Sequence, residues 1–185
     1  GPTPMALRKD ALLAATRIMQ DVVAAAHRHP PHGRGTVGMV QVFPNSRNVI
    51  PGRVKFSIDL RNATDALVDQ MADEVKAFAA KVGQEHGVDV KIEMVSSYNA
   101  IAFHENCVDA VGRAAKKLGY SNMPAVSGAG HDAVYMAKLA PAGMIFIPCK
   151  DGISHNEIED AKPEHITAGC NVLLHAMLER AGVAS

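Results

Sequence analysis

The chain has 185 residues, with 19 basic against 19 acidic side chains, 48% hydrophobic and 21% charged residues, the composition of a globular protein of one or two domains with enough apolar material for a core. A formal net charge of zero, with no Lys/Arg cluster interleaved with aromatics, argues against nucleic acid as a partner. No apolar run approaches the ~20 residues of a membrane span, no signal-peptide pattern opens the chain, and Cys107, Cys149 and Cys170 form no CxxC pair; the expectation is a cytoplasmic chain with no membrane partner, disulfide framework or thiolate metal site.

Residues 5–27 carry Leu7, Leu12, Leu13, Ala15, Ile18, Met19, Val22 and Val23 at three- and four-residue spacing, which predicts an amphipathic helix. It ends at His29-Pro30-Pro31-His32-Gly33, because a proline disfavours helical geometry in the residue before it and the glycine relaxes the turn. Residues 36–43 and 54–60 read as two antiparallel strands joined by a turn-like loop. The second alternates Val54, Phe56 and Ile58 against Lys55, Ser57 and Asp59. Thr64 or Asp65 caps a helix to about His86, with Leu67, Val68, Met71, Val75, Phe78, Ala79 and Val82 on its buried stripe, and Gly87 stops it. Residues 88–95 alternate again and predict a strand. The opening Gly1-Pro2-Thr3-Pro4-Met5, turning at once into a strong helix, reads as a longer chain entered partway through.

Helix, strand, strand, helix, strand is a ferredoxin-like βαββαβ two-layer sandwich without its first strand. That strand would be central, so it is expected from residues upstream of Gly1 or from another chain, since a central gap would expose two rows of backbone polar groups. Residues 1–100 are therefore expected to form one incomplete domain and 101–185 part of a larger α/β domain. In the second, a helix over 105–118 leads to the loop Ser127-Gly128-Ala129-Gly130 and a short helix over 132–138. Residues 144–148, Met-Ile-Phe-Ile-Pro, form a continuous apolar run that predicts a strand buried on both faces. A polar loop spans 149–160, and a final helix over 163–180 is expected to bury Ile166, Val172, Leu173, Leu174, Met177 and Leu178.

Three places could carry chemistry. The loop Asp151-Gly152-Ile153-Ser154-His155-Asn156-Glu157 follows the apolar strand, where open α/β sheets bind ligands, and offers one imidazole among carboxylates, either a metal ligand or a hydrogen-bonded loop residue. No HExxH, HxD or Cys pair accompanies it, so His155 is at most a contributor. Gly128-Ala129-Gly130 precedes His131-Asp132 at a helix start, either a backbone contact for a carboxylate or amide oxygen or a plain helix start with Asp132 near the dipole. Asn48 and Arg61 suit a ligand carboxylate, or else shape a turn and end a strand. His27, His29, His32, His86, His165 and His175, in helices or a breaker segment without partners at useful spacing, read as surface or helix-end residues.

Taken together, Gly1-Pro2-Thr3-Pro4-Met5 with Arg8-Lys9-Asp10-Ala11, Asn48-Val49-Ile50-Pro51-Gly52, Asp59-Leu60-Arg61, Ser127-Gly128-Ala129-Gly130-His131-Asp132-Ala133 and Asp151-Gly152-Ile153-Ser154-His155-Asn156 resemble the hydantoinase/carbamoylase amidases of the M20 metallopeptidase-like superfamily. The resemblance runs the whole length, in motif order and spacing. It implies a lid and dimerisation domain over 1–100 and the C-terminal segment of a zinc-peptidase-like catalytic domain over 101–185, in a homodimeric metal-dependent amidohydrolase that cleaves the ureido or amide C–N bond of N-carbamoyl-L-amino acids or similar ureido acids. Allantoate amidohydrolase and a non-catalytic dimerisation fragment are the alternatives.

By the same resemblance His155 is a metal ligand, Asn48 and Arg61 hold the substrate carboxylate, in trans across the dimer, and Gly128, Ala129 and Gly130 contact substrate through their backbone. Two divalent metals (Zn, Mn, Co or Ni) per complete site are implied. The remaining ligands and the general base are expected upstream, in the other half of the enzyme, so that these 185 residues alone would neither retain both metals nor turn over substrate.

Overall fold

The computed structural model describes residues 1–182 and contains two compact units, Gly1–Ala100 and Ile101–Ser185. In the first unit, Asp10 starts α1 (Ala11–Arg28) by accepting the N–H groups of Leu12 and Leu13 at 3.0 and 3.1 Å, which satisfies two of the donors a helix start leaves unpaired. The helix therefore begins six residues later than the apolar spacing predicts, and Met5–Leu7 is a separate 3-10 turn. Thr64 starts α2 (Asp65–His86) in the same way through Leu67 N–H. Gly87 ends it in the left-handed conformation at φ 61°, and Val88 N–H returns to the Gly83 carbonyl at 3.0 Å, the arrangement glycine adopts without steric cost.

The two helices lie antiparallel. Ala14 and Ile18 pack with Ala79 and Val82, while Val22 and Ala25 pack with Val75. Full burial of Met71, Val22 and Val82 contributes about 1.5–3 kcal/mol per side chain, whereas the exposed Arg17–Glu85 pair at 2.5 Å belongs to a class worth roughly 0–1 kcal/mol. The apolar seam holds the helices together.

Against them lies a broken antiparallel hairpin. Strands β1 (Arg34–Thr36) and β4 (Asp59–Arg61) pair in the register Arg34↔Arg61, and β2 (Val40–Phe43) pairs with β3 (Arg53–Phe56) in the register Val40↔Phe56. Between the two ladders residues 37–39 oppose only 57 and 58, a bulge. Ser57 closes it, its N–H donating to Met39 O at 3.1 Å and its Oγ accepting Met39 N–H at 3.1 Å. The predicted strand pair is present, split at this point. Val54, Phe56, Ile58 and Leu60 are half-buried in strict alternation with exposed Lys55, Ser57, Asp59 and Arg61. Gly35 lets β1 pass close over α1, since a Cβ there would stand 2.3 Å from the Val22 carbonyl oxygen.

Three expectations are corrected in this unit. Residues 88–95 are in no assigned strand and, beyond the half-buried Val88, are exposed. Alternation is necessary for a strand, but a strand exists only where its backbone groups find a ladder, and no described residue supplies one. Among the described residues the unit is two helices on a hairpin, with no further strand paired beside it. His29 does have a partner: its side chain is 9% exposed and its Nε2 lies 2.8 Å from Glu74 Oε1. Arg28 joins the same network through Glu74 Oε2 and Asp21 Oδ1, both at 3.0 Å. His86 likewise has one, accepting from Arg17 Nη1 at 3.0 Å.

In the second unit α3 (Glu105–Lys117) and α5 (Pro163–Ala181) pack antiparallel through Ala110, Ala114, Ala115, Val172 and Ala176, with Arg113 and Glu179 paired at 2.6 Å at one end. A short α4 (Ala133–Ala137) lies between them in sequence. Residues 144–148 are in no assigned strand and Phe146 is exposed, so the predicted doubly buried strand has no ladder among the described residues. Ile166, Leu173, Leu174, Met177 and Leu178 are likewise exposed. Of α5 only Val172 and Ala176 are buried, in one cluster with Ala110, Ala114 and Ala115 of α3.

Two outcomes follow for stability. Gly35→Ala forces a methyl against backbone and is expected to cost about 1–3 kcal/mol in urea unfolding, whereas Gly52→Ala, with nothing within 4 Å, is expected to stay within about 0.5 kcal/mol. The His29 hydrogen bond, and then Arg28, hold the Glu74 carboxyl below its ordinary glutamate value of 4.5. Its stabilising contribution is therefore complete above that value and lost as pH falls below it toward the depressed one. Urea midpoints measured between pH 7 and pH 3 should fall less steeply in Glu74→Gln than in the parent; parallel curves would remove Glu74 from the account.

Candidate functional site

The candidate residues fall into two groups, one in each unit. In the first, Arg61 ends β4 on its exposed face. Asp59, two residues earlier and hence on the same face, accepts Arg61 Nε at 2.9 Å and Nη2 at 2.8 Å through its two carboxylate oxygens. The hydrogen bonds raise the Arg61 pKa and lower that of Asp59, each through the other. Arg34 stands directly opposite Arg61 in the ladder, a like-charge cross-strand neighbour, and donates to the His32 carbonyl at 3.0 Å.

Asn48 lies in the loop that closes the other end of the hairpin. Its carbonyl accepts the amino group of Gly1. The Gly1 carbonyl in turn accepts Arg8 Nη2 at 2.8 Å, and Ala11 N–H donates to Pro51 O at 3.1 Å. These bonds tie the Asn48 loop to the start of α1, whereas β1 and β4 lie against its later turns at Val22 and Ala26. From Arg53 to Arg61 the strand climbs about 25 Å at ~3.3 Å per residue. Asn48 and Arg61 therefore do not meet on one small anion within a single copy of the chain, which corrects the expectation of a ready-made pair.

In the second unit, Ser127 Oγ accepts Ala129 N–H at 3.2 Å and donates to Ala129 O at 2.9 Å. This closes Ser127-Gly128-Ala129 into a tight turn before Gly130, whose surroundings are open. At the start of α4 the first N–H, that of Ala133, is taken by His131 Nδ1 at 3.0 Å, and Asp132 makes no side-chain cap. Asp132 thus stands at the start of the helix, as expected, while the imidazole of His131 takes the first N–H.

The loop over 149–160 is closed at its base by Lys150 N–H donating to Asp160 O at 2.7 Å. Asp151, Gly152 and His155 all take left-handed conformations, with φ of 55°, 69° and 56°, costly for the two non-glycine residues and so held by surrounding bonds. Glu159 Oε2 accepts the backbone N–H of His155 at 2.8 Å, and Asn156 Oδ1 accepts that of Ile158 at 3.2 Å. The expected carboxylate partner of the imidazole binds its backbone instead, and the exposed ring has no hydrogen-bond partner among the described residues.

A divalent metal needs several oxygen, nitrogen or sulfur donors converging on one point. Among the described residues no three His, Cys, Asp or Glu side chains converge in that way. The described residues by themselves therefore do not supply a complete ligand set for a metal pair. Nor does any helix of the described residues have the length and apolarity to cross a membrane.

Sequence reasoning passed over Asp59 as an exposed strand residue, although the i,i+2 rule for strands already placed it beside Arg61. It also passed over His104, whose Nδ1 accepts Asn106 N–H at 3.2 Å and caps α3. Its position just before the apolar periodicity was the available signal, masked because histidine is an uncommon cap.

Residues 9–179 match peptidase family M20/M25/M40. The chain is 45% identical over 183 residues to the N-carbamoyl-L-amino-acid amidohydrolase of Rhizobium meliloti, covering 99% of this chain and 44% of that protein, so it spans less than half of that relative's length. Among solved structures, an amidase of the hydantoinase/carbamoylase family from Burkholderia multivorans superposes with a TM-score of 0.93 at 51% identity, over 100% of this chain and 45% of that one. The YxeP protein of Bacillus subtilis, described as a dinuclear metal binding peptidase, shares the fold at a TM-score of 0.66 and 16% identity, over 92% of this chain and 46% of that one. The matched stretch includes every candidate residue from Asn48 to His155, and the chain belongs to peptidase family M20/M25/M40, with its similarity on the side of the hydantoinase/carbamoylase amidases.

Proposed function

We propose that the whole protein is a metal-dependent amidohydrolase that cleaves the ureido or amide C–N bond of N-carbamoyl-L-amino acids or related ureido acids. The observation that carries this is similarity without interruption: the 45% identity to a carbamoyl-amino-acid amidohydrolase extends over 99% of the chain and so through all the motifs that bear candidate residues. Gly1–Ala100 would then act as the lid and dimerisation unit, and Ile101–Ser185 as part of the catalytic domain.

Within that reading each residue has a bounded role. Arg61, planar and permanently charged, grips the substrate carboxylate. The backbone of Gly128, Ala129 and Gly130 lies against the substrate, where the lack of a side chain at two of the three allows close approach. His155 supplies one nitrogen donor toward a divalent metal such as Zn, Mn, Co or Ni, which polarises the scissile carbonyl when bound. The remaining donors and the general base come from outside this chain, and the steps these residues support are binding and orientation.

The hairpin geometry bears on assembly. A carboxylate site that uses both Asn48 and Arg61 has to draw them from different copies, because one copy holds them at opposite ends of its hairpin. This supports a homodimer in which one of the two acts in trans.

The test is made on the full-length protein, with N-carbamoyl-L-amino acids and allantoate as substrates, before and after chelation and metal restoration. Release of the free amino acid, abolished by chelation and regained with metal, is expected, with allantoate the poorer substrate; turnover of neither would overturn the assignment. His155→Ala should lower the metal content per chain measured by elemental analysis, and reduce turnover by more than the roughly 10- to 100-fold typical of losing an outer metal-site partner. A variant with full metal content would remove His155 from the ligand set.

A further inference from the structure

We propose that Asp59 is a positioning residue for substrate recognition: by holding the Arg61 guanidinium through two hydrogen bonds on the exposed face of β4, it sets the direction from which Arg61 meets the substrate carboxylate and thereby the preference for acids over uncharged ureides. The inference rests on the reading of Arg61 as the carboxylate contact.

Three observations carry it. The Asp59 carboxylate accepts both Nε–H and an Nη2–H of Arg61, at 2.9 and 2.8 Å. This side-on arrangement brings guanidinium and carboxylate toward a common plane and engages two of the five N–H donors. The pair stands on the solvent side of the sheet, with 50% and 49% of the two side chains exposed, so it is placed where a ligand can reach it and where an ion pair adds little to folding. Finally, Arg34 faces Arg61 directly across the ladder. With Cβ atoms of such a pair about 5 Å apart, like charge would drive the Arg61 head away from β1, and Asp59, opposite Thr36 two register positions away and on the same face, is the carboxylate that counters it. An arginine side chain has many rotamers; one locked by a carboxylate neighbour approaches a planar anion from a single direction.

The opposite role, a carboxylate that merely competes with substrate for Arg61, makes the reverse prediction, which renders the proposal testable by sign. In the full-length protein Asp59→Asn keeps the size of the side chain but loses the charge and the paired acceptors. It should raise KM for an N-carbamoyl-L-amino acid by about tenfold, a loss of about 1.4 kcal/mol in binding, with a smaller change in kcat. The inhibition constant of the corresponding carboxamide should be unchanged. Asp59→Glu, which retains the carboxylate, should recover part of the loss. Arg61→Ala is measured alongside. If Arg61→Ala weakens the acid selectively while Asp59→Asn leaves its KM unchanged or lowers it, Asp59 is not a positioning residue and the reading of Arg61 stands. Equal weakening of acid and carboxamide by Asp59→Asn would show a general structural role and likewise overturn the proposal. If Arg61→Ala does not alter the acid-to-carboxamide preference, the reading of Arg61 itself has failed.

Discussion

Which side chains of the hairpin face solvent is decided by what α1 and α2 bury. Val54, Phe56, Ile58 and Leu60 form one period-two series, with Phe56, Ile58 and Leu60 packed against the helix seam. A slip of one residue would exchange that apolar series for Lys55, Ser57, Asp59 and Arg61 and drive three charges into the seam. Orientation of Arg61 is thus enforced by hydrophobic burial three and five residues before it, as well as at its neighbour Leu60. The partner strand cannot keep the same parity, since Gly35 and Val37 face inward on one side of the break and Val42 on the other. The extra residue at 37–39 absorbs the mismatch, and Ser57 satisfies the backbone groups that the bulge would otherwise leave unpaired.

The second unit has a different balance. Its seam is built largely of alanines, which permit close helix approach but bury little surface each, at about 0.8 kcal/mol per buried methylene-sized group. The larger apolar residues of α5 remain at the surface. Local opening is easiest where few apolar contacts oppose it, so the α3–α5 pair is the softer of the two packed seams, and the first unit, with Met71, Val22 and Val82 fully buried, the stiffer.

What could be read from the chain follows the range of the interactions involved. The helix of residues 65–86 was legible, its start left between Thr64 and Asp65, because both its signals are local: a threonine that can reach back to a backbone N–H, and a glycine that can turn left-handed. The hairpin alternation was legible for the same reason. The α1 start was misplaced because Leu7 keeps phase with the apolar stripe, and periodicity does not register that the Asp10 carboxylate accepts the first N–H groups of the helix. Strands at 88–95 and 144–148 were expected from alternation and from an apolar run, but a strand depends on partners that a local pattern cannot supply. Among the candidate residues, types and positions were legible and separations were not: Asn48 and Arg61 are thirteen residues apart in sequence, yet the ladder between them places them at opposite ends of a rigid element.

Arg61 and His155 illustrate two ways of presenting a polar group. The guanidinium is held directly, by a carboxylate on its own strand, so its orientation travels with the sheet. The imidazole is held indirectly: Glu159 fixes the backbone of His155, and the bond from Lys150 to Asp160 closes the loop beneath it. A left-handed conformation at a non-glycine residue costs on the order of 1–2 kcal/mol, and at His155 and Asp151 that cost is met without any hydrogen bond to the ring of His155. The backbone of His155 is thus fixed by its loop, while its ring has no hydrogen-bond partner among the described residues.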